Sequence, residues 1–419
     1  MRRSPLLPIF LIVVVDVLGL TIILPLLPFF AEKLGASPSQ VGALVATYAV
    51  CQLVAGPLLG RLSDTTGRKP LLLVSQLGTL IGFIVLARAE VLWVVFLSRA
   101  IDGLTAGNLS LAQAYIADVT EPKDRARAFG VIGIAFGIGF LFGPALSGYM
   151  SQFGYHYPIY AAAGLSALSI LATATLLPGS KPHPPAPDEG PVGPGGKRLS
   201  VLDWNAYAAY FKKADLAPFL WQFFLFTFSF SVFTSGFALF AERSVTWNGH
   251  PFGAREVGYT FAYSGFLGII LQGGLIGRLV KRFGELPLIS VGWITMGFGY
   301  LLLSVIGLLP SLVASVVGSG NSGPSVPVLI TAATLSAMGH GILRPTLTSQ
   351  ITQRVSRSEQ GVVLGLNQSL QSVSQIVAPL IGGFLIEHGQ LVAWAALAAV
   401  VSFGALVVER ATVHTPAEG

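Results

Sequence analysis

What most limits this chain is a series of long apolar runs, each about as long as a helix needs to cross a lipid bilayer and each nearly free of charge. A hydrocarbon core about 30 Å thick takes about 20 residues at about 1.5 Å of rise each. Inside it, backbone groups must pair within their own segment, so runs this long and continuous predict helices and not barrel strands. Hydropathy places twelve spans, at 6–30, 41–60, 71–87, 91–117, 128–150, 158–177, 217–241, 257–277, 287–309, 326–349, 361–386 and 391–408. Composition agrees: 53% of residues are apolar, 11% are charged and the mean hydropathy is +0.71. The expected fold class is an all-α membrane protein with twelve transmembrane helices in two pseudo-symmetric six-helix bundles.

The division into halves rests on the stretch 178–216, where Pro182, Pro184, Pro185, Pro187, Pro191 and Pro194 stand among glycines and read as a solvated tether. Residues 1–177 and 217–419 are then the two bundles. An internal repeat supports this: Gly60-Arg61-Leu62 with Gly67 recurs as Gly277-Arg278-Leu279 with Gly284, at an offset of 217. At an offset of 235, Asp124 falls on Glu359, Gly130 on Gly365 and Pro144 on Pro379. Lys and Arg set the orientation, since nineteen of the 25 lie on the side shared by both termini. Both termini are expected in the cytoplasm, with the chain multi-pass in an inner membrane. Arg2 and Arg3 start the chain like a signal peptide, but Asp16 interrupts the run and no small-residue cleavage site follows before Phe30, so the first span is expected to stay.

Several function classes fall away. The net charge of +6 lies in short clusters between spans, which are topology signals and not a nucleic-acid surface. Cys51, the sole cysteine, rules out an internal disulfide and a multi-thiolate metal site. There is no phosphate-cradling glycine loop, no histidine pair at metal spacing and no nucleophile elbow, so neither an enzyme nor a cofactor is expected.

The turn between the second and third spans reads Gly60-Arg61-Leu62-Ser63-Asp64-Thr65-Thr66-Gly67-Arg68-Lys69-Pro70. It resembles the signature of the major facilitator superfamily, with a glycine, a leucine, an aspartate, a second glycine and a basic pair in this spacing. The resemblance implies a conformational latch on the cytoplasmic side, formed here by Gly60, Asp64, Gly67 and Arg68, with Thr65 where an arginine is usual. The fifth span carries Gly133, Gly137, Gly139, Gly143-Pro144 and Gly148. This is similar to the motif of the drug/proton antiporter branch, including bacterial tetracycline-like and multidrug exporters; Gly139, Gly143, Pro144 and Gly148 are its members here, and Ser147 replaces one glycine. Small residues at this spacing let helix backbones approach, and the proline permits a bend.

Charges inside lipid are costly, so each marks a functional candidate. Asp16 lies near the middle of the first span, while Arg99 and Asp102 lie three apart on the fourth, in a layer that all three can share. Gly103 and Ala106 leave space beside them. Arg99 matches the fourth-span arginine of the family motif, and Asp16 matches an acid often seen in the first span of the tetracycline-like and multidrug exporters. A carboxylate withdrawn from water beside a cation is poised between two opposing influences and can exchange a proton near neutral pH. Asp16 or Asp102 is expected to bind the proton, with Arg99 tuning it. Tetracycline exporters carry a further acid in the third span, where this chain has Gly82 beside Phe83, a departure that counts against tetracycline as substrate.

In the second half no acid is expected well inside a span, which leaves His340 and Arg344 of the tenth; Arg344 reads as snorkelling to the near surface. His340 is a candidate for substrate contact, as are Gln368, Gln371 and Gln375 of the eleventh, whose alternative use is glue between helices. Phe223, Phe224, Phe226, Phe228 and Phe230 of the seventh read as lipid-facing and packing residues. The expected function is proton-coupled export of small organic molecules by alternating access, by a monomer whose partners are a small-molecule substrate, protons and the bilayer. Uptake of a nutrient with protons, or ligand binding without flux, are the alternatives.

Overall fold

The computed structural model describes residues 6–119, 125–178, 208–313, 325–356 and 359–413. The first half holds α1 (Leu6–Lys33), α2 (Pro38–Thr66), α3 (Arg68–Ala87), α4 (Leu92–Leu104), α5 (Asn108–Val119), α6 (Arg125–Ser151) and α7 (His156–Leu176). The second holds α8 (Ala217–Ser244), α9 (Ala254–Ile270), a π-helical turn (Leu271–Leu275) and α10 (Ile276–Phe283). It ends with α11 (Glu285–Val313), α12 (Ser325–Gln353), α13 (Gln360–Glu387) and α14 (Leu391–Val413). Among the described residues eleven spans are long and apolar enough to cross a membrane, with α9, the π turn and α10 counted as one. The all-helical expectation holds, and outward faces are apolar as lipid requires: Leu58 is 62% exposed and Val407 68%.

Local chemistry fixes the boundaries. Ser37 caps α2 in a reciprocal box, its own N–H donating to Gln40 Oε1 at 2.8 Å, and Pro38 opens the helix where a missing N–H costs nothing. The two glycines paired by the repeat behave alike. Gly67 has φ +96° and Gly284 φ +79°, each ending one helix and donating back to it, to Ser63 and Val280. Between α8 and α9 the chain makes a hairpin not foreseen above, β1 (Thr246–Trp247) with β2 (His250–Pro251), turned by Asn248-Gly249 with both φ positive. The end of the Pro-rich stretch is packed and not solvated: Tyr210 and Leu216 are fully buried.

The expected single span 91–117 is two helices, broken at Thr105–Gly107. A break at membrane depth frees backbone groups that need partners. Ser75 of α3 supplies them, donating its hydroxyl to the Thr105 carbonyl and accepting from Gly107 N–H at 2.9 Å. Nor does Gly103 leave open space: a Cβ there would lie 2.6 Å from the Tyr48 carbonyl, so α4 rests directly on α2.

Packing groups the described helices into two compact units. One holds α1–α7 and Phe252–Ile269; the other holds the described residues from 208 to 251 and from Ile270 onward. The core of the first joins Ile9, Ile12, Val13 and Val17 of α1 to Leu71 and Leu72 of α3 and to Leu111, Tyr115 and Ile116 of α5. In the second, Trp293 and Tyr300 of α11, Trp394 of α14 and Phe226, Phe237 and Phe240 of α8 are almost wholly enclosed. Close helix approach there uses Gly292 and Gly299 of α11 against Leu343 and Ser336 of α12.

Candidate functional site

The intramembrane charges of the first unit occupy two neighbouring places linked by α3. Asp16, partly buried, takes a long bond from Gln76 Nε2 (3.5 Å), and the Ser169 hydroxyl of α7 lies within reach of the same carboxylate. Gln76 also donates to Ser169 at 2.8 Å, and both are fully buried. Among the described residues no cation pairs with Asp16. One turn along α3, the Thr79 hydroxyl bonds Asp102, whose Oδ2 lies 3.3 Å from Arg99 Nη1; the pair is 5% and 6% exposed. Tyr48 of α2 lies close to both charges. The expected Arg99–Asp102 pair is therefore formed, while Asp16 stands apart from it with neutral partners.

Two polar atoms here are buried and without hydrogen-bond partners, Gln76 Oε1 and Arg99 Nη2. The first can accept from a protonated carboxyl and the second can donate to a carboxylate, so the group has room to rearrange when a proton arrives or leaves. Gln76, Thr79, Ser75 and Ser169 were not singled out from the sequence. The signal was there, as three polar side chains within five residues of an otherwise apolar third span. Gly82 faces this place too: a Cβ on it would lie 3.1 Å from Asp102 Cβ, so the space an acid on the third span would need is taken by an acid from the fourth.

The antiporter-type glycines seat α6 on two partners. A Cβ at Gly139 would meet Val17 at 2.4 Å and one at Gly143 would meet Thr21 Oγ1 at 2.0 Å, so α1 lies against that face; Thr21 donates to the Gly139 carbonyl at 2.8 Å. On the other face a Cβ at Gly148 would meet the Arg255 carbonyl at 2.8 Å, and Gly258 lies against the Pro144 carbonyl. Ser147 is buried. In the latch, Arg68 Nε bonds Asp118 of α5 at 3.0 Å and Arg68 also donates to Ser63; Gly60 is open, Gly67 forms the turn, and the Asp64 side chain lies outside the described set. Asp118 was missed because it falls just past the expected end of the fourth span. Lys69 donates to the Ala174 and Leu177 carbonyls, closing the end of α7.

In the second unit His340 is stacked and, among the described residues, not hydrogen-bonded: its ring centroid lies 4.0 Å from Phe230 and 5.2 Å from Phe226. Those two phenylalanines thus pack on the imidazole ring. Gln368 is exposed, and Gln371 and Gln375 are partly so. The glue between α13 and α8 is instead Ser374, bonded to Thr227 at 2.9 Å. Glu409, the last residue of the span Leu391–Glu409, is buried at 3% exposure and accepts from Ser290 at 2.5 Å. Asp124 of the repeat lies outside the described residues.

Comparison with known proteins places this geometry. Residues 9–325 and 303–418 match the family model of the Major Facilitator Superfamily. The class C tetracycline resistance protein of Escherichia coli is 30% identical over 376 residues, 88% of this chain and 86% of that protein. Multidrug resistance protein 2 of Bacillus subtilis (strain 168) is 26% identical over 373 residues, 88% of this chain and 86% of its own length. The crystal structure of the human organic anion transporter MFSD10 (TETRAN) shares the fold at a TM-score of 0.69 and 21% identity, over 97% of this chain and 99% of that one. The resemblance read from the loop and fifth-span motifs is borne out, and the chain belongs to the Major Facilitator Superfamily as a multi-pass membrane transporter of small molecules, not an enzyme.

Proposed function

We propose that this protein is a proton-coupled exporter of small organic molecules, working by alternating access in an inner membrane with both termini in the cytoplasm. The observation that carries the reading is the pair of acid places on α3: Asp16 with, among the described residues, the neutral partners Gln76 and Ser169, and Asp102 with Arg99 and Thr79 one turn away. An acid without a cation in a membrane span is costly to keep ionised, which suits it to carry a proton. The loaded Asp16 carboxyl can donate to Gln76 Oε1, and a proton taken up by Asp102 neutralises its carboxylate and frees Arg99 to seek another. The glycine-lined seams of α6, the Arg68–Asp118 pair and the named relatives support export over uptake.

Tetracycline stays within the panel of candidate substrates. Gly82 lacks an acid, but Asp102 fills the space in front of it. The test is flux in proteoliposomes under an imposed pH gradient, across a panel containing tetracycline and cationic, neutral and anionic dyes. Asp16→Asn and Asp102→Asn should each abolish gradient-driven movement while leaving counterflow exchange. If both variants keep proton-driven transport the mechanism is wrong, and accumulation in the direction of proton entry would make the protein an uptake symporter.

A further inference from the structure

The second unit carries one intramembrane cation that the mechanism above does not use. Arg344 lies nine residues before the last residue of α12, about 13 Å along the axis from the nearer end. Helical side chains lean toward the N-terminus, here away from that end, so snorkelling does not suit it. The side chain is exposed, and among the described residues its guanidinium has no acid partner. Four of the described acids of this unit are engaged elsewhere: Glu242 with Arg243, Glu285 with Ser349, Glu359 with Lys213 and Glu409 with Ser290. A cation within a spanning helix and with no acid partner among the described residues is retained for a ligand more readily than for stability.

Its surroundings say which kind. Gly339 and Ser336 turn one side of α12 to α11, where a Cβ on Gly339 would meet Met296 and a Cβ on Gly299 of α11 would meet Ser336. His340 turns to α8, stacking on Phe230 and Phe226, and Gly341 turns to the π turn, 2.7 Å from Leu271 if given a Cβ. At about 100° per residue, Arg344 falls between the directions of His340 and Gly341, so it stands in the gap flanked by α8 and the π turn. Phe226 is buried and backs the stack, whereas Phe230 and His340 are partly open. Gln272, exposed on the π turn, adds an amide on the other flank, 3.8 Å from the Gly341 Cβ position.

We propose that Arg344, with the Phe230–His340 stack beside it, is a subsite for a planar aromatic organic anion, such as a carboxylate, enolate or phenolate. The guanidinium fork pairs with two oxygens of the anion, and the rings one turn away take the flat apolar body. The proposal rests on the reading of the chain as a transporter of small organic molecules and names the class that its second unit receives.

The test reads binding at equilibrium, with no gradient, on the full chain in lipid nanodiscs. The probes are 2-naphthoate, its neutral amide and hexanoate, with empty nanodiscs subtracted. Naphthoate should bind about tenfold or more tighter than the amide, and R344Q should lower it to the level of the amide while leaving the amide unchanged. R344K should keep the preference for the acid, and F230L should narrow the gap between naphthoate and hexanoate. Should R344Q fail to give monodisperse protein, R344K and F230L carry the test. No binding of naphthoate, equal binding of acid and amide, or R344Q with unchanged affinity would each overturn the proposal. Absence of proton-linked flux would sink the exporter reading alone, because the binding result does not depend on it.

Discussion

The seam between α1 and α6 and the seam between α8 and α13 occupy matching places in the two halves, yet they close by different means. At the repeat offset of 235, Gly139 and Gly143 of α6 become Ser374 and Ala378 of α13, while Pro144 keeps its counterpart in Pro379. In the first half the missing side chains bring backbones together, and the Thr21 hydroxyl reaches straight to the Gly139 carbonyl. In the second the helices stand off by a side chain, and Thr227 meets Ser374 hydroxyl to hydroxyl. Charge differs in the same sense. The first unit encloses Asp16, Arg99 and Asp102, with an excess of acid; the α8 and α12 faces of the second offer a lone cation among rings. Under the two proposals made above, the duplicated architecture assigns protons to one half and an organic ligand to the other.

The contrast in charge gives the largest expected effect. Arg99→Gln leaves Asp102 buried with Thr79 as its remaining named partner and should cost about 3 kcal/mol or more in reversible unfolding in mixed micelles. Arg99→Leu with Asp102→Leu should recover most of that loss. Arg344→Gln removes a cation that has no acid partner among the described residues and should leave stability unchanged or raised. Equal losses at Arg99 and Arg344 would erase the distinction between the halves.

The contrast in seams comes next. Gly143→Ala places a methyl 2.0 Å from Thr21 Oγ1 and should cost about 1–3 kcal/mol, partly restored by Thr21→Ala. Gly133→Ala, with nothing within 4 Å, should be silent in the same melting assay. Thr227→Val should cost about 1 kcal/mol, since it removes one hydroxyl of a buried pair without forcing helices apart. A Gly143→Ala protein as stable as the parent would mean that the α1–α6 approach is looser than its geometry.

Most of the architecture was legible because bilayer thickness constrains helix length, so apolar runs alone give eleven spans within a few residues. The fourth failed for a reason hydropathy cannot see: a helix break inside the membrane is decided by who satisfies its freed groups, and that partner, Ser75, lies some thirty residues earlier. The charged residues of the site were legible for the same energetic reason that makes them rare. Their neutral partners were not, because Gln76, Thr79 and Ser169 are ordinary membrane polar residues until the fold brings them to Asp16 and Asp102. His340 was visible, but its stacking was not, since five phenylalanines at mixed spacing on α8 do not reveal which two face α12.

The smallest effect concerns the end of the second half, where Glu359 opens α13. Its carboxylate accepts from Lys213 at 3.2 Å, from Tyr210 at 3.3 Å and from Ser356, which ties the segment before α8 to the start of α13. Burial opposes its ionisation, but the bonds from Ser356 and Lys213 outweigh that and hold the carboxyl below its ordinary 4.5. A depressed acid stabilises the fold above its unfolded value and loses that contribution as pH falls through the folded one. The tie should therefore be present at neutral pH and weaken as pH falls below the ordinary carboxylate range. Glu359→Gln should cost about 0.5 kcal/mol at pH 7 and nothing at the acid end, because the parent has by then lost the same charge. Melting curves of parent and variant taken across that range should converge as the acid end is approached. Curves that stay parallel would show that Glu359 holds the segment by packing alone, and the first half, with Arg68 on Asp118, would then be the one that closes its corresponding end with an ion pair.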